Sequence, residues 1–261
     1  MTFKLFPIVL LIALWSCVQD KKLEHKMSSI ESESNLIETD TIKSIEITKD
    51  FVLGKFDYKN HELFIKTNAT HTSKPIYLNV EVYEAFVNMY NHAEKDGIQL
   101  KIVSGTRNFA EQKAIWERKW EKYQNLNPIS RAKKILEYSS MPSTSRHHWG
   151  TDIDLNSLNN SYFESGKGKK EYKWLVENAN NYGFYQIYTE KSSGRTGYNL
   201  ERWHWSYMPL SSKYLAFYNN QVNYSDISGF DGSELAEALN IIPNYVNGIS
   251  EDAKQLKYPK E

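Results

Sequence analysis

Hydrophobic positions change period several times along the chain, and each change marks an element. From Phe51 onward the runs HELFIKT and PIYLNV are rich in β-branched and aromatic residues and read as two short strands. VEVYEAFVNMYNHAEKDGI follows, with Val82, Phe86, Met89, Tyr90 and Ala93 at helical spacing and Gly97 as a stop, so a helix feeds the next strand. In IQLKIVSGTR, Ile98, Leu100 and Ile102 alternate as on a half-buried strand before Ser104 and Gly105 break the run. A helical stretch from about Asn108 to Tyr138 comes next, interrupted near Pro128. HWGTDIDL reads as loop into strand, and GKKEYKWLVENANNYGF as a helix closed by Gly183. RWHWSYM reads as a last core strand, with Trp203, Trp205 and Tyr207 on one face and His204 and Ser206 on the other. The pattern predicts an α+β fold in which helical residues outnumber strand residues.

The segments on either side have a different character. MTFKLFPIVLLIALWSC has one lysine and then an apolar run from Leu5 to Trp15, too short to span a bilayer comfortably and suited to the core of a signal peptide. Leu14, Trp15, Ser16 and Cys17 resemble the lipobox of bacterial lipoproteins, which implies a signal peptide over residues 1–16 and a lipid anchor on Cys17. Cys17 is the only cysteine, so no disulfide forms within the chain. Residues 17–50 are then a polar tether with too little apolar surface to offset its ordering entropy. The expected organisation is this leader and tether, a catalytic domain over 51–210, and a C-terminal extension over 211–261. In that extension Leu235, Ala238, Leu239 and Ile242 suggest one helix packed on the domain.

Composition narrows the partners. The chain of 261 residues carries 32 Lys and Arg against 32 Asp and Glu, so nothing supplies the net positive field that nucleic-acid binding draws on. No nucleic-acid partner is expected.

The concentrated chemistry lies in SRHHWGTDIDLN, which holds two of the seven histidines and two aspartates. A catalytic zinc takes three protein ligands from His, Asp and Glu and leaves a fourth position for water. A turn at Gly150 would bring His147 toward the strand carrying Asp154, while Asp152 shares the face of Asp154 and is either a ligand or a partner behind one. His148 reads as a surface residue or a supporting one. About fifty residues on, ERWHW places Glu201 three positions before His204. A carboxylate beside a metal-polarised water is the arrangement for general-base hydrolysis.

SRHHWGTDID is similar to the SxHxxGxxxD signature of the zinc D-alanyl-D-alanine carboxypeptidases and dipeptidases of peptidase family M15, which include the vancomycin-resistance carboxypeptidases. ERWH resembles that family's ExWH signature, and SGTRNFAEQ its SGxRxxxxQ element. The resemblance implies the hedgehog/DD-peptidase-like fold, a small antiparallel sheet with flanking helices. It implies one Zn²⁺ per chain held by His147, Asp154 and His204, Glu201 as catalytic base, and Arg107 binding substrate or the developing oxyanion. Ser145 and Gln112, inside the same motifs, are the further expected substrate contacts. The implied activity is removal of a terminal D-alanine from peptidoglycan stem peptides at the bacterial cell envelope. An L,D-carboxypeptidase acting on tetrapeptide stems and a non-catalytic binding protein on the same zinc fold are the alternatives. Thr106 and Asp152 depart from the family pattern, Asp152 standing where many members have alanine.

Overall fold

A computed structural model of the protein describes residues 47–256 apart from Ser73. The expected signal peptide, the lipid anchor on Cys17 and the tether up to residue 46 lie outside the described residues. Order begins before Phe51: Thr48 Oγ1 accepts the Phe51 N–H and caps a helical turn at Lys49–Val52, and Lys49 Nζ pairs with Asp226 at 3.0 Å. Among the described residues no helix is long and apolar enough to cross a membrane.

Two antiparallel sheets carry the architecture. Strand β1 (Phe64–Lys66) pairs with β2 (Tyr77–Asn79), and β3 (Ile102–Ser104), β4 (Asp152–Leu155), β5 (Phe184–Gln186) and β6 (His204–Tyr207) form a second sheet in the order β3-β4-β6-β5. The helices are α1 (Val80–Lys95), α2 (Phe109–Lys122), α3 (Pro128–Ile135), α4 (Gly166–Asn178), α5 (Met208–Gln221) and the short α6 (Glu251–Gln255). This is the α+β class that the hydrophobic periods predict.

Local chemistry sets the boundaries. Asn108 and Glu111 form a reciprocal capping box at the start of α2, and Asn127 with Pro128 starts α3 afresh, so the predicted interruption falls between Lys122 and Pro128. The strand expected from Ile98 starts only at Ile102, because the Ile98 N–H still closes α1 by donating to Ala93 O. Strand β5 was not foreseen; it has three residues and follows directly on Gly183, too few for a period to show.

Three apolar clusters join these pieces. Val82, Phe86 and Met89 of α1 pack with Ile102, Ile153, Leu155 and Trp205 of the sheet. A second cluster gathers around Trp116, Met208 and Phe230, and a third around Phe51, Trp149, Tyr214 and Tyr218. The last two draw on residues beyond 210, and the boundary expected at 210/211 falls inside α5. Residues 47–256 therefore form one unit, and the C-terminal segment belongs to its core. The single helix expected around Leu235–Ile242 is instead a 3-10 turn at Ser233–Leu235 and a π-helical turn at Ile242–Val246. Pro243 accounts for the break, since it cannot donate to a regular helical ladder.

Candidate metal centre and its cleft

Asp152 and Asp154 share a face of β4, and antiparallel pairing sets Asp154 opposite His204 and Asp152 opposite Ser206. His147 arrives from the 3-10 turn Arg146–Trp149, which ends at Gly150 in the left-handed region (φ 71°). A Cβ at Gly150 would run into the Phe64 ring, so the turn that aims His147 at the sheet needs glycine on two counts. The ligand-type atoms of His147, Asp154 and His204 all lie within 4.8 Å of one another, and the three residues are buried. His147 Nε2 is 3.5 Å from Asp154 Oδ2, and His204 Nδ1 is 3.1 Å from Asp154 Oδ1 and 3.4 Å from Glu201 Oε2.

The opposite ring nitrogens are occupied. His147 Nδ1 donates to Gly105 O at 2.8 Å and His204 Nε2 donates to Asp152 Oδ2 at 2.8 Å, which turns His147 Nε2 and His204 Nδ1 inward as lone-pair donors. Asp154 Oδ1 is buried without a hydrogen-bond partner, a cost that a cation removes. Two imidazole nitrogens and one carboxylate oxygen are a donor set that fits Zn²⁺ with a position left open.

Asp152 is a supporting residue. Its Oδ1 accepts from Thr151 and Ser206 hydroxyls at 2.8 and 2.7 Å, and its Oδ2 accepts from Arg146 Nε at 3.1 Å as well as from His204. Arg146 and Asp152 have fully buried side chains, and the guanidinium also lies 4.8 Å from the Trp149 ring centre. Burial alone would raise the Asp152 pKa, but the Arg146 cation and the His204 bond hold it well below the usual carboxylate range. Burial likewise disfavours a charged His204; the Asp152, Asp154 and Glu201 carboxylates outweigh it and hold the ring well above its ordinary value in the metal-free protein. Glu201 is raised, first by burial and further by Asp154, against the pull of His204 and Arg107.

His148, read as a surface or supporting residue, is fully buried. Its Nδ1–H donates to Arg107 O at 2.7 Å and its Nε2 accepts from the Ser143 N–H at 3.1 Å. Burial pushes its pKa down to about 3, so it is a neutral strut under the Arg107 backbone. The Arg107 side chain donates from Nε to Gln112 Oε1 at 3.0 Å and from Nη1 to Ser104 Oγ. The nearby Glu111 carboxylate is engaged with Tyr58 and Lys59.

These groups line a cleft of about 570 Å³. Arg107, Arg118 and Lys119 contribute positive charge to its lining, and Tyr138, Leu158 and Trp203 contribute apolar surface. Trp149 and Trp205 belong to the core clusters, which leaves Trp203 as the one of the three flanking tryptophans at the cleft. Of the two further expected substrate contacts, one needs correction. Ser145 is buried at 1 % exposure and its hydroxyl does not line the cleft, because the residue sits at the start of the 3-10 turn with its side chain packed inward. Gln112 lines the cleft, but its amide is committed at both ends, to Arg107 and to Ser140 O.

Sequence reasoning missed three contributors. Arg146 was readable as a charge six positions before Asp152. Tyr188, whose ring centre is 4.6 Å from that of His204, and Arg195, which donates to the carbonyls of Thr189, Thr196, Tyr198 and Gly248, had no pattern to betray them.

Residues 75–210 match the family model described as VanY, D-alanyl-D-alanine carboxypeptidase. The chain belongs to this family. Among curated relatives, the Bacillus subtilis (strain 168) protein YodJ is 31% identical over 134 residues, covering 51% of this chain and 46% of its own length. A D-alanyl-D-alanine carboxypeptidase of Enterococcus faecium is 32% identical over 136 residues, covering 52% of this chain and 39% of that protein. The chain spans half or less of the length of these relatives. Among solved structures, the LD-carboxypeptidase LdcB aligns with a TM-score of 0.49 at 23% identity, over 65% of this chain and 77% of that one. VanYB in complex with D-alanine-D-alanine aligns with a TM-score of 0.48 at 21% identity, over 63% and 92%. His147, Asp154, Glu201, His204 and Arg107 all lie within the VanY-family match, whereas the third cluster's Phe51, Tyr214 and Tyr218 lie outside it.

Proposed function

We propose that the protein is a zinc-dependent carboxypeptidase that hydrolyses the terminal D-alanine from peptidoglycan stem peptides. The observation that carries this reading is the convergence of His147 Nε2, Asp154 and His204 Nδ1 on one point of the cleft, with Glu201 beside His204. Zn²⁺, when bound there, supplies Lewis acidity and makes water a nucleophile near neutral pH. Glu201 accepts the proton of the attacking water as its oxygen adds to the scissile carbonyl carbon, and delivers that proton to the departing amine nitrogen as the C–N bond breaks. Arg107, fixed through Nε and Nη1, keeps Nη2 for the negative charge developing on the carbonyl oxygen. Asp152 and Gly105 O hold the two histidine rings in the tautomers the metal requires.

We place the protein at the bacterial cell envelope, tethered through a lipid on Cys17, on the support of the sequence Leu14–Cys17. Incubating the zinc-loaded protein with synthetic pentapeptide and tetrapeptide stems, with and without chelator, and weighing the products tests the activity. Loss of one D-alanine from the pentapeptide, abolished by chelator, is expected; an unchanged pentapeptide refutes the reading. A Cys17→Ala variant that still fractionates with membranes refutes the anchor.

A further inference from the structure

A second pocket, of about 460 Å³, opens outside the metal cleft where the end of α1, the chain from Gly97 to Lys101 and the start of α4 meet. Its volume is that of a small-molecule site, about 300–1,000 Å³. Glu171 of α4 lines it with a side chain only 2% exposed. Tyr162 OH donates to Glu171 Oε2 at 2.7 Å, whereas Oε1 is buried and has no hydrogen-bond partner among the described residues. Lys167 Nζ stands 3.5 Å from Oε1, beyond good hydrogen-bond distance, and donates instead to Gln99 Oε1 at 2.8 Å. A buried carboxylate oxygen left in this state costs free energy that a donor from outside would recover. The setting is fixed by close packing: a Cβ at Gly168 would strike the Tyr162 carbonyl, so glycine lets α4 close on Tyr162.

The lining decides which donor. Glu94 and Glu171 are balanced by Lys101 and Lys167, so the pocket has no net charge to draw an ion. An ammonium on Glu171 Oε1 would crowd the Lys167 cation, and an anion would meet two carboxylates. A neutral hydroxyl donates to Oε1 and can accept from a lysine at once. Tyr90 and Tyr162 add ring surface, held against His71 at 4.5 Å and Phe163 at 5.0 Å between ring centres. Hydroxyls on a ring with an apolar face are the chemistry of a saccharide. The pocket is also tied to the metal cleft: Asn156 and Tyr162 line the pocket, while Leu158, Asn159 and Asn160, between them, line the cleft. Asn156 fixes this segment to the pocket wall, its side chain accepting from the Lys101 N–H at 2.6 Å and donating to Gln99 O at 2.9 Å. Asn156 and Leu158 are two residues apart, at most about 7 Å, well within the reach of a five-residue peptide, about 17 Å. Resting on the peptidase reading above, we propose that this pocket holds a sugar ring of the substrate polymer while the stem peptide attached to it enters the metal cleft.

The test titrates the β-1,4-linked disaccharide of N-acetylglucosamine into zinc-loaded wild type, Glu171→Gln and Gln99→Trp by calorimetry. It also compares hydrolysis of a free pentapeptide stem with that of the same stem linked to an amino-sugar disaccharide, with KM and kcat read separately. Wild type should bind the disaccharide and show a KM about 10- to 100-fold lower for the linked stem, the worth of a hydrogen bond to a charged group. Glu171→Gln, and Gln99→Trp, which fills the pocket from an exposed position, should each raise KM for the linked stem to that of the free one and leave the free stem unchanged. Should Glu171→Gln fail to fold, Gln99→Trp alone decides. Equal KM for the two stems in wild type, or disaccharide binding undiminished in both variants, overturns the proposal and leaves the peptidase. Equal losses on both stems in both variants would mean that these residues only support the fold, and butylammonium binding at Glu171 in place of the disaccharide would make the pocket a cation site; either overturns the proposal. Disaccharide binding that depends on Glu171 and Gln99, with no hydrolysis of either stem by wild type, sinks the peptidase and leaves the sugar site.

Discussion

Asp152→Asn separates folding from metal binding, because Asp152 serves Arg146 and His204 at once. In the metal-free protein the substitution leaves the Arg146 guanidinium fully buried without its counter-charge. Removing one partner of such a pair costs about 3–5 kcal/mol. The Thr151 and Ser206 hydroxyls at 2.8 and 2.7 Å can rotate to accept from the new amide, which places the expected loss near the lower figure. At the metal, an amide oxygen still accepts from His204 Nε2 but no longer makes the ring more basic. Zinc affinity should fall about 10- to 100-fold, the usual consequence of losing a partner behind a ligand. Adding Arg146→Met to Asp152→Asn removes the stranded charge while keeping an aliphatic stem over Trp149. The double variant should regain most of the lost stability and none of the lost affinity. Urea unfolding of the metal-free proteins gives the first quantity, and competition with a chromophoric zinc chelator gives the second. A double variant as unstable as Asp152→Asn, or an Asp152→Asn protein that binds zinc like wild type, refutes this account of the pair.

Glu201→Gln should keep zinc stoichiometric by metal analysis while lowering hydrolysis by about 100-fold or more, since the base is removed and all three ligands remain; equal activity refutes its role. His148 gives a pH signature: its folded pKa of about 3 lies below the ordinary histidine value, so the unfolded chain binds the proton first and stability falls as pH drops below about 6.5. The loss should reach about 2 kcal/mol at about pH 5, seen in denaturant midpoints; a His148→Gln variant, neutral throughout, should be destabilised overall yet show a shallower acid slope, and an unchanged slope refutes the assignment.

The site was more legible in the sequence than the frame around it. His147, Asp154, Glu201 and His204 sit in two short motifs, and the strand period alone puts Asp152 and Asp154 on one face. Gly150 could be read as a turn, although the Phe64 ring that excludes a side chain there comes from β1 and leaves no local trace. For His148 the supporting alternative holds and the surface one does not; the sequence could not separate them because both its partners, Arg107 O and the Ser143 N–H, are backbone atoms that no residue type announces. Ser145 lies in a motif and still points inward, since motif spacing fixes position along the chain and not side-chain direction. Helix α5 was not anticipated; it carries Pro209 in its first turn, where proline is tolerated.

Trp149 stands two residues after His147, and behind it lie the rings of Tyr214 and Tyr218 on α5, with Trp149 Nε1 donating to Val52 O. The ligand-bearing turn is thus buttressed from the rear by two stretches of chain far apart in sequence, while Asp154 and His204 rest on the sheet. Damage confined to the rear buttress, such as truncation of the Tyr214 or Tyr218 ring, would loosen one ligand and spare two. Such a molecule would be a leaky zinc protein before it was an unfolded one, and its failure would register as metal exchange well ahead of any loss of helix.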